Sequence, residues 1–239
     1  MLGGFSLQPL LNQWIMKQNW SDLLFIHWSM PKNVIAPYIP KSLELDSYDH
    51  HAWLSVVLFC MEGTYLRGIP KLSVFRSFPQ INFRTYVRYN GNPGIFFLSL
   101  DTSHFLTYSF SKKLYKLPFF HALMDYKKNG NELYMKCSRK NEKAQLEVNY
   151  VPFGEPKRPK KDSIEQWLTE RYRMYTVDHS GNVFFCDVEH NPMKLQSADA
   201  RILQNSLLFP FQHELKKQQP FVYFSKGVIA KVGLLQKCK

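Results

Sequence analysis

Polar and apolar side chains alternate between residues 81 and 88, and this alternation marks the best-defined element of the chain. One face would carry Ile81, Phe83, Thr85 and Val87, and the other Asn82, Arg84, Tyr86 and Arg88. A period of two predicts a β-strand. Turn-forming residues 90–94 and the apolar run 95–100 follow, so residues 79–101 are predicted to form a β-hairpin.

The polar row of this hairpin has two interpretations. Asn82, Arg84 and Tyr86 lie on a strand bounded by apolar sequence, so their face could look into a polar cavity. An ordinary solvated face explains the same pattern. A guanidinium offers five donors in a planar fork that suits a carboxylate, and this makes Arg84 the leading candidate for a ligand anchor.

The remaining periodicity predicts short helices and many strands. Helices are expected at residues 7–17, 31–36, 102–117, 163–170 and 199–208. Strands are expected at 21–30, 43–46, 51–61, 119–126, 132–137, 144–151, 172–177, 183–188 and 220–235, with 43–46 and 51–61 forming a second hairpin. Residues 63–77 are expected to form a loop, and the basic, proline-rich residues 154–161 a linker loop.

About ten antiparallel strands with a few short helices define an α+β fold. Closure into a barrel or packing as two sheets removes exposed edges, so one of these forms is expected. The segment after the linker is too small to stand alone, which predicts a single domain over residues 1–239.

A net charge of +12 raises the possibility of nucleic-acid binding. The lysines and arginines concentrate in predicted turns and linkers, where they solvate a loop, and no nucleic-acid-binding signature accompanies them. A basic surface is the simpler explanation, and a nucleic-acid partner is not expected.

Other motifs exclude further classes of protein. No apolar run reaches the length of a membrane span, and no signal peptide is recognised, so a cytoplasmic protein is expected. Four scattered cysteines fit a reducing compartment, and no metal or nucleotide motif is present. The sequence therefore predicts no cofactor and no metal.

Several segments together resemble a known family. These are residues 24–31, 84–88 with 94–101, 168–172 and 224–228. Their order is similar to that of the YqjF-like family of uncharacterised bacterial proteins, in the acetoacetate-decarboxylase-like superfamily. The resemblance covers nearly the whole chain and implies a cone-shaped, antiparallel β-barrel with short helices outside and a ligand-sized interior.

The resemblance breaks at the catalytic lysines of the decarboxylases. In those enzymes one lysine forms a Schiff base and a second lowers its pKa. The corresponding positions here are Phe119 and Phe120. A phenyl ring is neither nucleophile nor base, so Schiff-base decarboxylation is not expected.

Further side chains are candidates for a ligand site. Phe97, Tyr108, Phe119 and Phe120 could wall an apolar pocket. Four histidines could each contact a ligand or be a hydrogen-bonded core residue, which is the more common case; they are His27, His104, His121 and His190. Glu170 with Arg171 could be a buried pair that orients Arg84, or a plain pair at a helix end.

Two classes of function follow from these features. The first is a protein that binds a small apolar or aromatic ligand, with a carboxylate held by Arg84. The alternative is an enzyme that acts on a carbonyl or carboxylate compound without a covalent lysine. Loss of both lysines favours the first. A pure interaction module would need an exposed apolar patch.

Overall fold

The computed structural model describes residues 14–69, 77–139 and 143–238. Thirteen strands of this part of the chain join in one sheet. The strands are β1 (Met16–Met30), β2 (Glu44–Leu45), β3 (Ala52–Leu66), β4 (Phe78–Tyr89), β5 (Asn92–Thr102), β6 (Phe119–Asn129), β7 (Glu132–Arg139), β8 (Gln145–Lys157), β9 (Arg173–Val177), β10 (Val183–His190), β11 (Leu195–Asn205), β12 (Phe221–Val232) and β13 (Gln236–Lys237). The helices are α1 (Lys32–Ile35), α2 (Phe105–Leu114), α3 (Ile164–Thr169) and α4 (Gln212–Leu215), with 3₁₀ turns at Ala36–Tyr38 and Phe209–Phe211.

The sheet closes into two rings because β5 and β12 each branch. On one edge β5 pairs with β4, and on the other it pairs first with β9 and then with β6. Similarly, β12 pairs with β1 on one edge and with β11 and β10 on the other. The smaller ring is β10-β9-β5-β4-β3-β1-β12, and the larger is β5-β6-β7-β8-β11-β12-β1-β3-β4.

The shared strands explain why β1 and β3 are apolar on both faces. Val56 and Leu58 point into the core of the larger ring, whereas Val57 and Phe59 point into the smaller ring. A strand covered on both faces has no solvated side and loses the alternation of a half-buried strand. The predicted α+β barrel with short helices is therefore confirmed. Two of its strand pairs, β5–β6 and β5–β9, are parallel rather than antiparallel.

The predicted hairpin at residues 79–101 is confirmed as β4 and β5. Its turn is only Asn90-Gly91, both with positive φ, and Asn92 already begins β5. The row of Ile81 and Phe83 faces the core of the larger ring, where Phe83 packs against Phe211 of the second 3₁₀ turn.

The predicted hairpin between residues 43–46 and 51–61 is wrong. β2 pairs with β4, with Glu44 opposite Arg88. β1 and β4 occupy the two edges of β3, whereas β4 has no β3 partner after Thr85, so β2 pairs with β4 at Val87 and Arg88.

The predicted helix at residues 199–208 is also wrong, because β11 occupies Leu195–Asn205. Ala198, Ala200 and Ile202 are half-buried while Asp199 and Arg201 are exposed, which is a period of two. Pairing with β8 overrides the helix propensity of this segment.

Three other predicted boundaries change. Residues 154–157 belong to β8, where Lys157 pairs with Leu195, so the predicted linker loop begins four residues later. β3 continues to Leu66, and residues 70–76 of the predicted loop lie outside the described residues. Most of the predicted helix at 7–17 also lies outside them, and Met16 and Lys17 belong to β1.

None of the helices in the described ranges is long and apolar enough to cross a membrane.

Candidate functional site

A cavity of about 120 Å³ lies inside the smaller ring. The cavity-lining side chains from β3 and β5 are apolar, and those from β4 are polar. They are Val57, Phe59 and Met61 from β3, Ile95, Phe97 and Leu100 from β5, and Gln80, Asn82 and Arg84 from β4. An apolar enclosure with a few placed polar groups is the usual form of a small-molecule site.

Arg84 brings a positive charge into the cavity wall without an acidic partner. Only 9% of the residue is exposed. Its Nη2 donates a hydrogen bond of 3.3 Å to the carbonyl oxygen of Leu168, and its Nε is buried with no partner. An ion pair requires a nitrogen–oxygen distance of 4.0 Å or less. No carboxylate in the described part of the chain lies that close to the Arg84 guanidinium.

The neighbouring arginines are paired. Arg171 and Arg173 also line the cavity, and they form ion pairs with Asp46 at 3.1 Å and Asp187 at 2.6 Å. Asp46 is shared, because Arg88 also contacts it at 2.7 Å. These ion pairs join three arginines to two aspartates, so the charges on this side of the cavity sum to a positive value.

A buried hydrogen-bond network fixes the wall behind Arg84. The Tyr86 hydroxyl lies 2.9 Å from the Leu168 carbonyl oxygen, to which it donates, and 2.7 Å from the Ser55 hydroxyl. Ser55 in turn lies 2.5 Å from Nδ1 of His27. Burial, followed by repulsion from Arg84, lowers the pKa of His27 well below its usual 6.5, so His27 is neutral. His27 and Tyr86 are not among the residues that line the cavity.

Helix α3 presents the carbonyl group to this network. Ser163 caps its N-terminus by accepting a hydrogen bond from the Gln166 backbone N–H. Leu168 lies in the last turn, where carbonyl groups lack partners within the helix. Arg84 and Tyr86 supply the missing donors, so the end of α3 orients the guanidinium.

Glu170 fits neither role predicted for it. Its carboxylate accepts hydrogen bonds from the Tyr172 hydroxyl and from the backbone N–H of Met193. Arg171 turns instead to Asp46. Glu170 therefore contacts these two donors and forms an ion pair with neither Arg84 nor Arg171 among the described residues.

The four aromatic candidates lie in three places. Phe97 and Phe119 line the cavity, as does Asn82. Phe120 lies on an outer groove, beneath the guanidinium of Arg139 at 3.6 Å from the ring centroid. Tyr108 lies on α2, where it is partly buried against an apolar cluster that includes Tyr115, Leu117 and Leu168.

His190, one of the four candidate histidines, lies at the end of β10 and lines the cavity, whereas the sequence could not indicate which of the four would do so. Its Nδ1 lies 2.9 Å from the Asn191 carbonyl oxygen. A carbonyl only accepts, so Nδ1 carries the proton and Nε2 keeps a lone pair. Burial lowers the pKa of His190, which keeps the ring neutral.

Comparison with known proteins places the chain in a family. Residues 17–229 match the model of the DUF2071 family, described as "Uncharacterized conserved protein (COG2071)". The chain belongs to this family. The DUF2071 chain is 38% identical over 214 residues to "Uncharacterized protein YqjF" of Bacillus subtilis (strain 168), covering 89% of this chain and 88% of that protein.

Solved structures show the fold that DUF2071 shares. The enduracididine biosynthesis enzyme MppR, complexed with pyruvate, matches with a TM-score of 0.68 at 9% identity, over 96% of this chain and 92% of that one. The acetoacetate decarboxylase of Legionella pneumophila matches with a TM-score of 0.64 at 11% identity, over 99% and 93%. At these identities the matches establish an acetoacetate-decarboxylase-like fold.

The cavity of the DUF2071 chain contains no lysine among its described lining residues. Phe119 lines it instead. The same described residues hold no group of three His, Cys, Asp or Glu side chains that could bind a metal ion. The groups available for chemistry on the cavity wall are thus guanidinium, amide, hydroxyl and imidazole.

Proposed function

We propose that this protein binds a small organic anion non-covalently in the cavity, with a carboxylate held by Arg84. The observation that carries the proposal is the buried guanidinium without an acidic partner. A guanidinium keeps its proton at any physiological pH, so burial is costly unless an anion or hydrogen-bond acceptors compensate the charge. The carbonyl of Leu168 compensates only part, and a ligand carboxylate would supply the rest.

The surroundings of Arg84 support an anion rather than a neutral ligand. The guanidinium groups of Arg84 and Arg171 lie 5.9 and 5.3 Å from the centroid of the Tyr86 ring. The ion-pair partner of Arg171, Asp46, is already shared with Arg88. An added negative charge on this side would therefore be attracted.

The size and lining of the cavity restrict the rest of the ligand. A cavity of roughly 150 Å³ holds benzene, so one of about 120 Å³ suits a body of that size or smaller. The rings of Phe25, Phe59, Phe97 and Phe119 favour an apolar or aromatic body. Pyruvate in the similar MppR structure is a small carboxylate of suitable size. Benzoate and pyruvate are the two probes that follow.

Titration calorimetry with benzoate and pyruvate tests the proposal on the purified full chain. We expect Arg84→Met to weaken binding by roughly 1.5–3 kcal/mol, the range for a hydrogen bond to a charged group. Arg201→Met is the control, because it removes the same side chain from the exposed face of β11, outside the cavity lining. It should leave affinity within about twofold. Binding that Arg84→Met leaves unchanged, or failure of both probes to bind, would contradict the proposal.

His190 favours a second candidate, an enzyme that removes a proton next to a carbonyl. A neutral imidazole with a free lone pair can act as a general base, and it lines the same cavity as Arg84. NMR analysis of pyruvate incubated with the protein in D₂O separates the two candidates. Accelerated deuterium exchange at the methyl group indicates an enzyme, and an unaltered ligand indicates a binding protein.

A further inference from the structure

The wall of the smaller ring has a seam along β5. Beyond the edge that faces β4, β5 pairs with β9 only at Ile95 and Phe96, and with β6 only from Leu100 onward. Phe97, Leu98 and Ser99 therefore have no paired strand on that edge in the described part of the chain. A register shift in the β4–β5 pairing falls at the same place.

A short non-strand segment, Lys116–Leu117–Pro118, closes the seam. The Pro118 carbonyl accepts a hydrogen bond of 3.0 Å from the Leu100 backbone N–H, on the β6 side. On the β9 side the Lys116 carbonyl accepts one of 2.8 Å from the Thr176 hydroxyl. Lys116 has a φ of 51°, in the left-handed region that costs a non-glycine residue energy.

Two spaces meet at this segment. A groove of about 700 Å³ runs along the outside of the seam, lined by aromatic side chains that include Tyr38, Phe96 and Phe120. Phe97 and Leu117 line both the groove and the inner cavity. They are the partition between solvent and the buried site.

We propose that the outer groove is the entrance to the cavity and that Leu117 is the gate. Opening elsewhere in the smaller ring would separate paired strands and break several ladder hydrogen bonds at once. Displacing residues 116–118 breaks the hydrogen bonds to the Lys116 and Pro118 carbonyls and the half-exposed ion pair of Lys116 with Asp178, but no strand ladder, and it relieves the left-handed conformation at Lys116. The lowest-cost path through the wall of the ring therefore passes Leu117, whatever the ligand is.

The rate at which a thiol reagent reaches the cavity tests this path without any ligand. Val57→Cys places a thiol of similar size on the β3 wall of the cavity. Modification by methyl methanethiosulfonate is followed by mass spectrometry, with the rate of the parent chain subtracted. We expect Leu117→Ala to accelerate modification of this cysteine at least fivefold, and Leu117→Trp to slow it at least threefold.

Leu23→Ala is the control for general loosening. Leu23 also lines the cavity and is 1% exposed, but it lies on β1, away from the seam. Both truncations remove the same atoms from the same cavity. Equal acceleration by Leu23→Ala and Leu117→Ala would overturn the gate, since it would indicate entry through local unfolding. Unchanged rates in both Leu117 variants would also overturn it and point to another entrance. If Leu117→Trp does not fold, Leu117→Phe takes its place.

Discussion

At the scale of single residues, the basic side chains of Arg84 and His27 respond to burial in different ways. Both are buried, and each could carry a positive charge. The imidazole can release its proton, so burial and the nearby guanidinium lower the pKa of His27 and keep it neutral. The guanidinium cannot, so Arg84 keeps a charge for which the described residues provide only a carbonyl. The proposed ligand site and a stability cost therefore coincide at Arg84.

The lowered pKa of His27 makes stability depend on pH. Below pH 6.5 the unfolded chain binds a proton at this histidine that the native chain does not, so the free energy of unfolding falls as the pH falls. One such group contributes a slope of up to roughly 1.4 kcal/mol per pH unit. We expect His27→Gln to reduce the slope between pH 6 and pH 5, measured by urea denaturation.

The matched control for His27 is His179→Gln, which changes an exposed histidine in the turn between β9 and β10. This variant should keep the slope of the original chain. His190, whose pKa burial also lowers, should behave like His27. Equal slopes in His27→Gln and His179→Gln would mean that His27 is charged in the native chain.

At the scale of elements, β5 is the strand on which the architecture depends. It pairs with β4, β6 and β9, and so belongs to both rings. Its contact with β9 is close at Gly94. A Cβ atom there would lie 2.6 Å from the Tyr175 ring and 2.8 Å from the Arg173 carbonyl oxygen. Only glycine permits this approach without a shift of β9.

We therefore expect Gly94→Ala to destabilise the fold by roughly 1–3 kcal/mol, the usual range for overpacking. Gly63→Ala is the control, because its new methyl group would meet only the flexible ring of Tyr65 at 3.1 Å or more. Urea denaturation of both variants should show the larger loss for Gly94→Ala. Equal losses would indicate that β9 can move away from β5 at little cost.

At the scale of the whole molecule, the rings join distant parts of the chain. β1 pairs with β12 over eleven positions, from Met16 opposite Val232 to His27 opposite Phe221. β11 pairs with β8 across the basic segment once expected to be a linker. Neither ring can close without strands from both sides of that segment.

This pairing predicts that the chain folds as one cooperative unit. Cutting it at Arg158 and expressing the fragments 1–158 and 159–239 separately should give two chains without a cooperative unfolding transition. Co-expression should restore a complex, because every strand is then present. Two soluble fragments that each unfold cooperatively would instead show that the segment is a domain boundary.

Much of the local structure was determined by the sequence alone. The strict alternation from Ile81 to Arg88 predicted both the strand and its two faces, because a period of two follows from backbone geometry. Asn90-Gly91 marked the turn, because those residues tolerate positive φ. The pattern therefore assigns Asn82, Arg84 and Tyr86 to one face of the strand.

Only the tertiary structure decided whether each face of β4 is directed to solvent, to the cavity or to the core. The pattern on β4 could not distinguish solvent from cavity, because both accept polar side chains. The roles of Glu170 and His190 depend on Met193, Tyr172 and Asn191, contacts that periodicity does not encode. The residues of β11 have the composition of a helix, and only their pairing with β8 makes this segment a strand. Local pattern thus specifies elements and faces, whereas long-range pairing specifies what those faces enclose.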